Sequence, residues 1–248
     1  GMSENNGTTA VHLVLQGKGG VGKSLVASIL AQYFAHRLGL LTHCVDTDPV
    51  NQTFTQYRDL QVQRLELLAE GSIDSRLFDG LMERMLTEYG VFVVDNGSST
   101  FIPVWNYMLE NGVPAVLAEN GRKLFVHCVV TGGQALTDTL TGFAKLAETS
   151  PERNIVLWMN EYFGRIERDG RVLSELPVYQ RAAAKVWGSV VLPRRNRETF
   201  GRDLEELLRQ KRTFREAQEG NGLPVMVKRR LGIVRDELFL QLDRLHLA

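Results

Sequence analysis

A chain of 248 residues, 44% hydrophobic and 23% charged, can bury one sizeable α/β core and has the composition of an ordinary globular protein. Its 29 basic and 29 acidic side chains cancel, so bulk charge selects neither a nucleic acid nor a membrane surface, and any such contact must come from a local patch. The two cysteines, Cys44 and Cys128, lie in apolar runs, a pattern of buried thiols in a reducing, cytoplasmic compartment and not of a disulfide framework.

Gly1-Met2 reads as an addition ahead of the native start, and residues 1–9 as a polar, disordered lead-in without a signal-peptide pattern. The run AVHLVL (10–15) is short, apolar and closed by a glycine-rich loop, as a buried strand would be. After 17–24, LVASILAQYFAHRL repeats apolar residues at helical spacing up to Gly39, a helix C-cap. LLTHCVDTD reads as a second strand ending in carboxylates, and VQRLEL (62–67) as a third. An amphipathic helix over 74–89 precedes VFVVDNGSS, a strand ending at Asp95.

A helix around 101–111 leads through a Gly-Val-Pro turn to an unassigned stretch, 115–122. KLFVHCVVTGG is a strand, 134–149 a helix, and NIVLWMN a strand ending near Asn160. Residues 164–186 form a looser polar segment with at least one helix, the natural place for an insertion. GSVVLPRR is the last strand, followed by helices over 200–219 and 225–247. Strands and helices alternate, and most strands are solid Val/Ile/Leu runs. That signature predicts an α/β fold of three layers, a doubly wound, mostly parallel sheet buried on both faces, in one domain over 10–248. No run approaches the roughly 18 apolar residues of a membrane span, so stable membrane insertion is not expected.

Gly17-Lys18-Gly19-Gly20-Val21-Gly22-Lys23-Ser24 fits G-x-x-x-x-G-K-[ST] between a predicted strand and a predicted helix, where a phosphate-cradling P-loop must lie. Glycines let backbone N–H groups turn inward around the β-phosphate, and the helix N-terminus adds partial positive charge. Lys23 is placed to reach the β/γ oxygens, and the Ser24 hydroxyl to ligate Mg²⁺. Asp46, Asp48 and Asp95 stand at strand C-termini, the crevice of an open parallel sheet. Asp95 after four apolar residues is the Walker B arrangement. Asp46 and Asp48 are two residues apart and can share a cation.

The second lysine, Lys18, gives GKGGVGKS its resemblance to the deviant Walker A ATPases, the ParA/MinD superfamily that includes the nitrogenase iron protein. The resemblance implies a nitrogenase iron protein-like P-loop NTPase that binds Mg·ATP and pairs as a homodimer. Each Lys18 would reach the partner's nucleotide and neutralise γ-phosphate charge, the logic of an arginine finger. It further implies that Asp48, in the D-x-D-P switch segment, activates the attacking water, and that Asp46 supports the metal shell. Asn160, Pro193 and Arg194 would contact the base, with Gly17, Gly19, Gly20, Val21, Gly22, Lys23, Ser24 and Leu25 around the phosphates. Leu25 stands where relatives carry a second hydroxyl, and Asp95-Asn96-Gly97-Ser98 replaces their D-x-P-P.

Stretches such as CVDTDPVNQTF, VVDNGSSTFIPV and VTGGQALTDTLTGFAKLA resemble the TraL type of conjugal-transfer ATPase within this superfamily over nearly the whole chain. That implies a slow, nucleotide-switched ATPase working with other plasmid transfer proteins. Two alternatives stand beside it: a plasmid-partition ATPase whose ATP dimer binds DNA without sequence preference through Arg194, Arg195, Arg197, Arg209, Lys211, Arg212 and Arg215, and a non-hydrolysing nucleotide-binding adaptor. The absence of an N-K-x-D segment argues against guanine. His43-Cys44 and His127-Cys128 lack metal-ligand spacing and read as core. The stripe Leu231, Val234, Leu238, Leu242, Leu245 reads as core or subunit packing, its acidic flanks disfavouring anionic lipid.

Overall fold

The computed structural model describes residues 9–16, 18–20 and 22–248; the lead-in 1–8, Gly17 and Val21 lie outside the described residues. The strands in chain order are β1 (Ala10–Val14), β2 (Thr42–Asp46), β3 (Gln63–Arg64), β4 (Leu68–Ala69), β5 (Ser72–Ile73), β6 (Val91–Asp95), β7 (Lys123–Thr131), β8 (Ile155–Asn160), β9 (Glu167–Arg168), β10 (Arg171–Val172) and β11 (Val186–Leu192). The helices are α1 (Lys23–Gln32), α2 (Ser75–Thr87), α3 (Phe101–Glu110), α4 (Val113–Glu119), α5 (Leu136–Thr149), α6 (Pro177–Ala182), α7 (Phe200–Arg209), α8 (Phe214–Glu219) and α9 (Val225–Asp243).

Among the described residues seven strands form the main sheet, in the order β11-β8-β7-β1-β6-β2-β3, with every pairing parallel. Pairs β4–β5 and β9–β10 are small antiparallel ribbons outside it. Side chains alternate along each strand, so the solid apolar runs feed two cores at once. Val11, Leu13, Phe92, Val94, Val126 and Leu157 pack toward α2–α6, whereas Val14, Val93, Phe125, Val129 and Trp158 pack toward α1 and α7–α9. The chain is therefore the expected three-layer, doubly wound α/β fold, and its strand C-termini share one edge.

Local chemistry explains where the elements differ from the sequence reading. The stretch 113–119 is a helix, started by Gly112 at φ 59 and by a proline in the first turn. Residues 200–219 form two helices and not one. Lys211 turns left-handed at φ 54, and Thr213 with Glu216 makes a capping box that starts α8 afresh. The third strand shrinks to two paired residues. Gly39 does end the first helix, at φ 66, after a π-helical turn over Tyr33–Arg37. The C-terminal stripe is core: Leu231, Val234, Leu238 and Leu242 are fully buried under the sheet, with Leu245 partly so.

Polar groups also cross this core. Trp158 Nε1 donates to His127 Nδ1 at 2.8 Å. That fixes the His127 proton on Nε2, which lies 2.8 Å from His12 Nδ1, and in turn puts the His12 proton on Nε2, 3.0 Å from Leu247 O. The chain of neutral rings ties the C-terminal tail to the two central strands. Burial pushes His12 down to about 3 and His127 well below the usual imidazole range. Unfolded imidazoles titrate near 6.5, so the unfolded chain takes up these protons first as pH falls. Stability from the pair is complete above about pH 6.5 and is lost below it, with His12 alone removing ~2 kcal/mol between pH 7 and pH 5. NMR should show both rings neutral in these tautomers at pH 5 in the folded chain, while the urea midpoint drops.

Candidate nucleotide-binding site

The C-terminal edge of the sheet gathers the predicted residues. Two residues past the end of β1 stands Gln16, whose buried amide donates to Val129 O (2.8 Å) and Thr139 O (3.3 Å). This pins the strand where the P-loop begins. Gly142 of α5 leaves room for that amide, because a Cβ there would overlap Gln16 Oε1. Gly20 and Gly22 take φ 73 and 105, conformations that side chains disfavour. The loop then opens α1 with Lys23 at its first turn.

Lys23 is only 8% exposed, and its Nζ donates to Ser98 Oγ (2.9 Å) and to Lys18 O (3.1 Å). Burial lowers its pKa, opposed by the Asp95 and Asp48 charges nearby. Ser24 Oγ donates to Asp95 Oδ2 at 2.8 Å. Asp95 is buried and its Oδ1 has no hydrogen-bond partner. Desolvation lifts its pKa to about 7, with Ser24 pulling down and Asp46 pushing up. Asp46 and Asp95 are register partners on adjacent parallel strands, so two buried carboxylates stand side by side.

Their surroundings differ. Asp46 Oδ1 accepts from Asp48 N (3.0 Å), and Oδ2 from Thr55 N (3.1 Å) and Thr55 Oγ1 (3.0 Å), closing the switch loop on itself. Burial still raises its pKa. Asp48 Oδ1 accepts from Val50 N and Asn51 N. Its carboxyl carbon lies where a Cβ on Gly97 would come within 2.6 Å, so Gly97 is the residue that lets the switch carboxylate settle onto the Walker B turn. Asn96 joins the same two segments, accepting from Thr47 Oγ1 at 2.8 Å.

Farther along the edge, a cleft of about 830 Å³ opens beside Gly20, Gly22 and Leu25. Asn160, Pro193 and Arg194 line it, as do Tyr162, Phe163 and Glu205. Asn160 Nδ2 lies 3.2 Å from where a Gly22 Cβ would stand, and its Oδ1 accepts from Tyr162 N. Tyr162 bridges the mouth by donating to Glu205. The double glycine of VTGG seats this loop: a Cβ on Gly132 would come within 2.5 Å of Arg165 O. Gly19 lies beside Ser98, and Ser24 beside Asp95. Gly17 and Val21 are outside the described residues. Lys18 stands on the rim, its side chain 47% exposed and 3.5 Å from Asp138 in the first turn of α5.

The sequence model of the CobQ/CobB/MinD/ParA nucleotide binding domain matches residues 12–235. Two Escherichia coli proteins named TraL are 45% and 46% identical over 234 residues, 94% of this chain and 97% of each relative. The chain belongs to the CobQ/CobB/MinD/ParA family, among the TraL proteins. Similar solved folds include the MinD cell division protein of Aquifex aeolicus (16% identity, TM-score 0.48, 92% of this chain and 98% of that one) and a ParA family ATPase of Chlorobium tepidum TLS (14%, 0.48, 91% and 96%).

As a member of this nucleotide-binding family, the chain has a P-loop face that fits a magnesium-bound phosphate group on its own chemistry. The unshared Asp95 oxygen, the Ser24 hydroxyl beside it and the buried Lys23 ammonium form a donor set suited to a hard cation and a polyphosphate. The sequence reading named Lys23, Ser24 and Asp95, which the structure brings together, and Asn160, Pro193 and Arg194, which line the cleft. It missed Gln16, Tyr162, Glu205 and Asp138, and it marked Asn96 and Ser98 only as a departure from D-x-P-P, without a contact. Three of the seven basic residues in the clusters at 194–215 are ion-paired within the chain: Arg195 with Glu237, Arg209 with Glu206 and Arg215 with Asp59. No helix among the described residues is long and apolar enough to cross a membrane.

Proposed function

We propose that this chain is a Mg·ATP-dependent switch ATPase that pairs with a second copy on binding ATP and serves conjugal plasmid transfer. The observation that carries the ATPase reading is Asp95 Oδ1, a buried carboxylate oxygen without a partner beside Ser24 and Lys23. A buried charged oxygen is costly to leave unpaired, and a divalent cation is the partner its neighbours suit. Ser24 and Asp95 would hold Mg²⁺, which supplies charge neutralisation on the phosphoryl oxygens. Asp46, whose oxygens are taken by the switch loop, contributes negative charge and loop geometry. Lys23 holds the β/γ oxygens, and Asp48 orients the attacking water.

Asn160, Pro193 and Arg194 would hold adenine in the cleft, whose size suits a nucleoside. Lys18, half exposed beside Asp138, would exchange that carboxylate for a partner's phosphate. Its present ion pair is a weak restraint, since half-exposed pairs contribute little. The conjugal role rests on the similarity to TraL proteins alone.

Gly97→Ala tests the role of Asp48 without touching the phosphate loop. The added methyl would push the Asp48 carboxylate aside. Single-turnover phosphate release should fall roughly 10²-fold while ATP affinity stays within a few-fold of wild type. An unchanged rate with a displaced Asp48 removes that carboxylate from the mechanism.

A further inference from the structure

The segment after Asp95 is where this chain departs from D-x-P-P, and the structure places its serine against the P-loop lysine. Ser98 Oγ accepts from Lys23 Nζ at 2.9 Å. It also lies 3.4 Å from where a Gly19 Cβ would stand, so the hydroxyl faces the loop backbone directly. One residue earlier, Gly97 meets the Asp48 carboxylate, and three residues earlier Asp95 takes the Ser24 hydroxyl. One short turn therefore touches the lysine, the switch carboxylate and the metal-side hydroxyl together.

A hydroxyl has one proton and two lone pairs, whereas a lysine ammonium has three protons. Lys23 spends one proton on Ser98 and one on Lys18 O. Ser98 accepts from Lys23 and, among the described residues, donates its own proton to no protein acceptor. The arrangement leaves one ammonium proton and one hydroxyl proton for a further acceptor between Lys23 and the ends of β2 and β6. With a β-phosphate held by the loop amides, a third phosphoryl group would extend toward Asp48 and Asp95.

We infer that Ser98 is a positioning residue that distinguishes a triphosphate from a diphosphate, sharing Lys23 with the γ-phosphoryl group and donating its proton to one of that group's oxygens. The inference rests on the nucleotide reading above. Ser98 also opens the 3₁₀ turn Ser98–Thr100, where Thr100 Oγ1 donates to Gly97 O at 2.8 Å, and that turn runs directly into α3. A γ-phosphoryl contact at Ser98 is thereby felt at the start of α3.

The test titrates wild type, Ser98→Ala and Ser98→Thr with Mg·ADP and with Mg·AMP-PNP by calorimetry. Ser98→Ala should keep ADP affinity within about twofold and weaken AMP-PNP about tenfold, the loss of one charge-assisted hydrogen bond. Ser98→Thr, which keeps the hydroxyl, should restore the ratio. Amide exchange over residues 98–105 should slow with AMP-PNP and not with ADP in wild type. Equal weakening of both nucleotides, an unchanged ratio, or equal exchange with both nucleotides overturns the inference. The exchange comparison needs no variant, so it decides even where Ser98→Ala fails to fold. If wild type binds neither nucleotide, the underlying reading falls, and this inference with it.

Discussion

Lys23→Ala should abolish measurable nucleotide binding, whereas Lys18→Ala should bind ATP normally and lose only the ATP-driven dimer. The two lysines share one loop but stand in opposite surroundings. Lys23 is buried and donates to Ser98 and to the Lys18 carbonyl, so its removal takes a charge and its hydrogen bonds out of the phosphate site. Loss of the ammonium charge and of its proposed contact with the β/γ oxygens corresponds to a drop of ~10²–10³-fold in affinity. The Lys18 side chain is half exposed and forms an ion pair with Asp138, and its backbone carbonyl survives substitution by alanine. Folding stability of Lys18→Ala should therefore stay within about 0.5 kcal/mol of wild type. Sedimentation with Mg·AMP-PNP should show wild type as a dimer and Lys18→Ala as a monomer that still binds the nucleotide. A Lys18→Ala dimer indistinguishable from wild type would falsify the role in trans.

Asp95→Asn should stabilise the chain while removing magnesium-dependent hydrolysis. Burial holds the Asp95 pKa at about 7, above its unfolded value, so the folded state binds this proton more tightly. The sign follows: the carboxyl costs nothing below the unfolded value near 3.8, and stability is lost as pH rises toward 7. By linkage the loss approaches ~4 kcal/mol at pH 8, an upper figure because the Asp46 neighbour titrates with it. Asparagine keeps an acceptor for Ser24 and removes the buried charge. The urea midpoint at pH 8 should rise without Mg²⁺, and phosphate release should fall at least 10²-fold. Between pH 4 and 6.5 this carboxyl opposes the buried histidines, so its removal should also steepen the acid-side loss of stability.

Much of this was legible in the sequence, and the reasons are physical. A parallel sheet buried on both faces needs unbroken apolar strands, and the runs at 10–15, 91–94 and 155–158 could not satisfy any solvated face. Gly20, Gly22 and Lys23 were readable because loop conformation and charge both demand those residue types. What escaped is action at a distance along the chain. Ser98 meets Lys23 across 75 positions, and Gln16 reaches Val129 across 113. Nothing local tells which distant residue such a serine or glutamine meets, even where the departure from D-x-P-P draws attention to Ser98. Gly97 and Gly132 were visible as letters, but their purpose is the Asp48 carboxylate and the Arg165 carbonyl lying where a side chain would be. The break between α7 and α8 hid for the opposite reason: its residues keep helical periodicity, and only the Thr213–Glu216 capping box reveals the restart.

The most direct measurement of the central claim is ATP binding to the wild-type chain with Mg²⁺ and with the metal chelated. Ser24 bonded to Asp95 Oδ2, with Asp95 Oδ1 left unshared beside it, requires tight binding with the metal and a loss of about tenfold or more without it. Equal affinity in both conditions, or none in either, would contradict the account.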